Sequence, residues 1–293
     1  MTSHDCVSQM RRWLHLKKIG HGGTLDPAAD GVLPIAIGRA TRLLPFLPDS
    51  KAYRAVIRFG LTTATDDLEG DVLSAQPVPA LTEAIAIAPL AQFLGTIQQV
   101  PPRYSAIQVQ GKRLYDLARQ GEVVDVPVRT VTIHTLEVVG WQGGDFPELT
   151  VDIACGSGTY IRSIARDWGA LLQTGGTLAA LTRTQSSGFS LTESLTPAAL
   201  AAQIQAETFV PIEPAIALRH LPAITLPAEA ACRWQQGQKL PWTAAIATNP
   251  TRCLVFDPAA TFLGITDILP DADCGARLCP KMVFVPWNCS HSQ

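Results

Sequence analysis

KKIGHGGTLDPAADGVLPIAIGRATRLL, residues 17–44, places a histidine, three glycines, a threonine and two aspartates within the eleven residues His21 to Gly31. An apolar run follows, and lysines and arginines flank both ends. A Gly-rich turn of this kind can cradle a phosphate, present a nucleophile or turn a corner. A phosphate-binding P-loop needs G-x-x-x-x-G-K-[ST], and Asp and Pro stand where Lys and a hydroxyl belong. His21-Gly22-Gly23 resembles the start of an esterase oxyanion loop, which requires a G-x-S-x-G elbow elsewhere. The nearest candidate, around Ser157, has Cys155 and Thr159 at the glycine positions. A D-x-D phosphatase is unsupported, because Asp26 and Asp30 lie four apart. Asp26, held between Leu25 and Pro27, remains either a nucleophile or a structural turn residue.

Outward from this turn, KAYRAVIRFG (51–60) alternates Tyr53, Ala55, Ile57 and Phe59 with polar partners, which predicts a strand with one wet face. TTATDDLEGD reads as a polar turn, and its acidic run Asp66, Asp67, Glu69, Asp71 as solvated. Residues 82–94 read as a helix interrupted near Pro89, and Lys112 to Gln120 as a short helix ended by Gly121. Residues 129–140 and 148–155 read as two strands. After them, GSGTYIRSIARDWGALL carries Ile161, Ile164, Ala165, Trp168, Leu171 and Leu172 at helical spacing, with Thr159 or Ser157 as cap. From residue 214 short apolar stretches alternate with Pro, Gly and Asp turns, the pattern of a small β domain. The mixture before it predicts an α+β domain built on a large sheet.

Composition narrows the function. The 293 residues are 47% hydrophobic and 16% charged, with a net charge of −2. No apolar run reaches the ~18 residues of a membrane helix, and MTSHDCVSQMRRW does not read as a secretory signal, so the cytoplasm is expected. The seven cysteines form no C-x-x-C pair and read as free thiols. Charge is unevenly spread: residues 1–60 carry nine Lys and Arg against four acids, and residues 101–120 four against one. Two basic segments on one face would suit a polyanion such as RNA.

Four ordered blocks then carry a resemblance. GHGGTLDPAADGVLPIAIGRATRLL resembles the catalytic motif of the bacterial TruB family, the tRNA pseudouridine synthases that act at uridine-55. KAYRAVIRFGLTTATDDLEGD resembles that family's K-x-Y-x-x-x-x-x-x-G-x-x-T-x-T-x-D-x-x-G segment. QQVPPRYSAIQVQGKRLYDLARQGE resembles its Q-x-P-P-x-Y-S-A segment, and CGSGTYIRSIARDWGALLQTGGTLAALTRT its C-x-x-G-T-Y-I-R segment with the leucine–arginine stretch beyond. The blocks cover most of residues 17–187.

The resemblance implies a pseudouridine synthase catalytic domain on a large mixed, mainly antiparallel sheet at residues 1–213. It implies a small β-rich, PUA-like RNA-binding domain at 214–293. Asp26 is implied as nucleophile, attacking either the base or, through a glycal route, the ribose. Tyr53 is implied as the residue that stacks on the base and assists proton removal. Arg162 is implied as partner of the carboxylate, an arrangement in which opposite charge favours the ionised form. His21, Tyr160 and Leu181 are implied around the flipped nucleotide. Arg42, Lys112 and Arg113 are read as contacts to RNA phosphates, and a base buried in a folded loop has to be flipped out. The expected partner is the T-arm stem-loop of tRNA, bound by a monomer without metal, cofactor or membrane.

Departures from the family pattern set further expectations. The family's first strand, ending G-x-[ST]-S, is not in this sequence, which starts with the residues that follow it. A form carrying that strand is expected to be more stable and more active. Asp30 and Gly22 stand where the family often has Thr, and Asp30 sets a second negative charge near Asp26. The rival class is a non-catalytic RNA-binding protein or tRNA-folding chaperone. An aspartyl-nucleophile hydrolase lacks a partner motif.

Overall fold

The computed structural model describes residues 1–105, 108–109, 112–113, 126–242, 251–272 and 275–284. Its organising element is the strand Lys51–Phe59, where Tyr53, Ala55, Ile57 and Phe59 are buried and Arg54 is exposed. The expected alternation holds because the strand is central. Glu148–Cys155 pairs with one edge, opposing Tyr53 with Ile153, and Gly176–Ser186 pairs with the other, opposing Tyr53 with Arg183. The sheet runs in the order Phe189–Ser190, Gly176–Ser186, Lys51–Phe59, Glu148–Cys155, Arg129–Gln142, Gly95–Gln99. All these neighbours are antiparallel; the short strand Asp30–Gly31 adds one parallel pairing against Thr182–Arg183. This is the large, mainly antiparallel mixed sheet of the expected α+β class.

Helix Ile161–Leu171 lies on this sheet. Its apolar face, Ile161, Ile164, Ala165 and Trp168, shares one core with Ala55, Ile57, Phe59, Val151 and Ile153. Burying each such large side chain contributes about 1.5–3 kcal/mol. Trp168 is fully buried, its indole N–H donates to the Ala86 carbonyl at 2.8 Å, and its ring stacks on Phe93 with centroids 4.9 Å apart. The helix approaches so closely that a Cβ at Gly169 would lie 2.1 Å from the Gly176 nitrogen, so glycine is required there.

Local expectations fared unevenly. Thr82 caps helix Glu83–Ile87, Pro89 ends it, and a 3-10 turn follows at Leu90–Phe93. The cap of Ile161–Leu171 is neither Thr159 nor Ser157 but Tyr160, which makes no side-chain cap bond. The Thr159 hydroxyl instead donates back to the Gly156 carbonyl at 2.9 Å, one residue before the cap position. Lys112–Arg113, expected to open a helix, instead form a short strand antiparallel to Gln108–Val109, because ladder pairing takes up their backbone groups. The remainder of that expected helix, 114–120, lies outside the described residues.

Residues gather in space into two units, each entered more than once by the chain. One holds residues 1–3, 24–33 and 49–194 and contains the sheet above. The other holds 4–23, 34–48 and 195–293. In this second unit Ile19–His21 pairs with Ile35–Ile37, followed by the 3-10 turn Gly38–Phe46. A five-stranded sheet runs in the order Ala223–Thr225, Arg252–Phe256, Phe262–Asp271, Gly275–Val283, Leu240–Trp242. Its core closes on Trp234, from helix Ala228–Gln235, with Cys253, Val255 and Leu278. The tail is thus β-rich as read, with two short helices, Pro214–Ala217 and Ala228–Gln235, that its turn-dense sequence concealed.

Candidate active site

The loop that carries Asp26, Thr24–Leu33, belongs to the first unit and is pinned at both ends by one side chain. Arg183, with 0% exposure, donates from Nε to the Val32 carbonyl at 2.7 Å and from Nη1 to the Thr24 carbonyl at 3.2 Å. The Val32 N–H returns a bond to the Arg183 carbonyl at 2.9 Å. Between these anchors Gly31 adopts φ +108°, and a Cβ there would stand 2.2 Å from the Arg183 carbonyl oxygen. Only glycine permits this approach. The Asp26 carbonyl accepts from the Ala29 N–H at 3.0 Å, closing a turn that leaves the carboxylate outward.

Asp26 meets Arg162, from the first turn of helix Ile161–Leu171. Arg162 Nε donates to Asp26 Oδ2 at 2.8 Å, with side-chain exposures of 6% for the arginine and 38% for the aspartate. The guanidinium is therefore buried while the carboxylate reaches solvent, where a substrate can approach it. The other guanidinium nitrogens are also engaged: Nη1 donates to the Thr65 carbonyl at 3.1 Å and Nη2 to the Tyr104 carbonyl at 3.2 Å. A second carboxylate, Asp67 Oδ2, stands 3.6 Å from Nη1. Arg162 and Asp67 are the buried members, and removing one of a buried charge pair costs about 3–5 kcal/mol, because the remaining charge stays desolvated.

Asp67 corrects the reading of the acidic run as a solvated turn. It is buried, accepts from the Glu69 N–H at 3.1 Å and is bonded by the Thr65 hydroxyl. Asp66 beside it pairs with Arg166 at 3.0 Å. The turn is acidic because two helix arginines meet it. Gly70 is forced by the same packing, since a Cβ there would lie 2.4 Å from the Thr65 hydroxyl.

Two tyrosines complete the site. Burial raises the Tyr53 phenol above its ordinary range, and the Arg183 guanidinium hydrogen-bonded to it pulls the other way. Burial likewise raises the Tyr160 hydroxyl, against the opposing influence of Ser105 and Arg129. The Asp26 charge is a minor further influence that raises both phenols. Tyr160 is fixed through its backbone by Gln99: its N–H donates to Gln99 Oε1 at 2.8 Å and its carbonyl accepts from Gln99 Nε2 at 3.0 Å.

Of the residues singled out from sequence, Asp26, Arg162, Tyr53 and Tyr160 all belong to the first unit, where Asp26 pairs with Arg162. Leu181, on Gly176–Ser186 opposite Ala55, packs half-buried against the same core. His21 and Arg42 belong to the second unit. His21 Nδ1 accepts from the Gly23 N–H at 3.3 Å, and the exposed Arg42 donates to the Val283 carbonyl at 3.3 Å. Lys112 and Arg113 are placed as strand backbone only. Asp30 is exposed, and its backbone pairs with Thr182. Gln99, Asp67 and Arg183 were missed. The first two occupy fixed positions in the quoted Q-x-P-P and T-x-T-x-D-x-x-G patterns, and the third lies in the leucine–arginine stretch.

Among the described residues no group of three or more His, Cys, Asp or Glu is placed to hold a metal ion, and no helix is long and apolar enough to cross a membrane.

Comparison with known proteins identifies the family. Residues 11–161 match the family model described as TruB family pseudouridylate synthase, N-terminal domain, and residues 222–284 match Pseudouridine synthase II TruB, C-terminal. The chain is 54% identical over 286 residues to the tRNA pseudouridine synthase B of Trichormus variabilis, covering 97% of this chain and 95% of that protein. It is 56% identical over 284 residues to the protein of the same name from Acaryochloris marina, with the same coverage of both. Among solved structures, a Cbf5–Nop10–Gar1 complex matches with TM-score 0.72 at 24% identity, covering 98% of this chain and 82% of the other. An H/ACA RNP bound to a substrate RNA containing 2'-deoxyuridine matches with TM-score 0.72 at 22% identity and the same coverage. These two likenesses concern the fold.

Proposed function

The chain belongs to the TruB family of pseudouridylate synthases, and we propose that it converts uridine-55 in the T-arm of tRNA to pseudouridine with Asp26 as nucleophile. The observation that carries this reading is the Asp26–Arg162 pair at 2.8 Å, buried on the arginine side and open on the aspartate side. The N1–C1′ bond breaks, the freed uracil turns, C5 bonds to C1′, the proton on C5 leaves and N1 takes up a proton. Asp26 has two routes to the first step, addition to C6 of the base or assistance to a glycal at the ribose. Arg162 orients the carboxylate in both. Tyr53 provides a stacking surface for the extruded base and a hydroxyl beside the departing proton. Tyr160 and Leu181 line the pocket, and His21 contacts the nucleotides flipped with the target.

Arg42, Lys112 and Arg113 bind phosphates, an interaction that weakens as salt is raised. The catalytic domain spans residues 1–213 and an RNA-binding domain 214–293, and the enzyme acts as a monomer in the cytoplasm. The test is tritium release from a T-arm stem-loop labelled at C5 of the target uridine. Release at that position, and none from a loop with cytidine there, is expected. Binding of the stem-loop without release would leave the chaperone reading instead.

A further inference from the structure

Arg162 is aimed by two separate pieces of chain, the turn that offers the Thr65 carbonyl and the segment that offers the Tyr104 carbonyl. Neither piece is regular structure, so something else has to hold each in place. One turn further along the same helix, on the same face, Arg166 reaches both. Its Nη1 donates to Asp66 Oδ2 at 3.0 Å, between Thr65 and Asp67, and its Nη2 donates to the Val100 carbonyl at 2.8 Å, four residues before Tyr104. Its Nε donates to Asp167 at 2.8 Å, which fixes the guanidinium plane on its own helix. The turn it fastens is not one the chain adopts freely: Asp66 has φ +62°, a left-handed conformation that costs a non-glycine residue about 1–2 kcal/mol. The Asp66 carbonyl is tied to the Leu178 N–H at 3.0 Å, so the Arg166 contact secures the side-chain end of a residue whose backbone is already committed.

We propose that Arg166 is a positioning residue for the isomerisation, bracing the Thr65–Asp67 turn and the Val100–Tyr104 segment so that Arg162 stays directed at Asp26. This rests on the Asp26-nucleophile reading. Arg166 takes no part in the Asp26 contact; its two loop contacts mirror those of Arg162, one on each loop. Three nitrogens bonded in one plane are a task for a guanidinium that an ammonium cannot reproduce. Without it, Arg162 keeps its charge and burial but loses the fixed direction of Nε. Misdirection of a group at the reacting centre costs rate and leaves RNA affinity intact.

The test measures single-turnover rate, tRNA Kd and melting temperature for wild type, Arg166→Met, Arg166→Lys, Asp66→Asn and the Met/Asn double variant, all assayed well below their melting temperatures. The expected result is a rate about tenfold lower for Arg166→Met at unchanged Kd and only a partial recovery in Arg166→Lys. The double variant is expected to be no slower than Arg166→Met, the non-additivity of a shared contact. A purely structural Arg166 lowers the melting temperature while leaving the rate per folded enzyme unchanged, and that outcome overturns the proposal. Additive losses in the double variant also overturn it. An inert wild type would instead refute the nucleophile reading, which separates the two failures.

Discussion

Replacing Gln99 by Ala removes the clamp on Tyr160, and its cost follows from the bonds lost. Gln99 is 2% exposed and exchanges two hydrogen bonds with the Tyr160 backbone, at 2.8 and 3.0 Å. Each contributes about 1 kcal/mol net. The Tyr160 carbonyl retains a second donor, the Ile164 N–H at 3.3 Å, so only the Tyr160 N–H is left stranded. A stranded buried donor adds about 1 kcal/mol or more, bringing the loss to about 3 kcal/mol. For a unit of this size each kcal/mol moves the midpoint by about 2–4 °C, so thermal denaturation is expected to shift by about 6–12 °C. Tyr160 immediately precedes the helix that carries Arg162, so kcat/KM is expected to fall about tenfold as well. Gln99→Glu keeps the acceptor, loses the donor and buries a charge, and does no better. A melting temperature within about 2 °C of wild type, with unchanged kcat/KM, refutes the reasoning.

Other perturbations probe other parts of the account. Asp67→Asn removes the second carboxylate beside Arg162 and is expected to lower kcat by about tenfold or more with little change in tRNA Kd; a selective rise in Kd contradicts this. Gly31→Ala forces a Cβ into the Arg183 backbone, with an expected loss of at least ~2 kcal/mol in a urea titration; a midpoint equal to wild type contradicts the close approach. Burial raises the Tyr53 phenol, so folding favours its neutral form. That contribution is intact below the ordinary value of 10.0 and is lost as pH climbs beyond it. The absorbance step at 295 nm that disappears in Tyr53→Phe is accordingly expected above pH 10, and a step below it contradicts the placement.

Much of this architecture is legible in the chain because it is local. Lys51–Phe59 announces its dry face by alternation, and Ile161–Leu171 its buried face by helical spacing. The site is less legible, because its parts meet across long separations. Nothing near Asp66 and Asp67 says that two arginines about 100 residues later will enclose them, so an acidic run reads as solvated. Gln99 looks like any strand-end glutamine until Tyr160 folds onto it. Thr159 is a good cap by type, yet the helix begins one residue too late for it, with Tyr160 at the cap position. The grouping of residues 4–23 and 34–48 with 195–293 is likewise a property of space, since the Asp26 loop between them folds with the other unit.

The central claim is that Asp26 performs the chemistry and Arg162 aims it. Asp26→Asn keeps the size of the side chain and a group able to face Arg162, but removes the nucleophilic charge. Measured by tritium release from the T-arm stem-loop under single-turnover conditions, with Kd determined in parallel, the variant is expected to bind normally and to release nothing above background. Turnover by Asp26→Asn within tenfold of wild type would contradict the account.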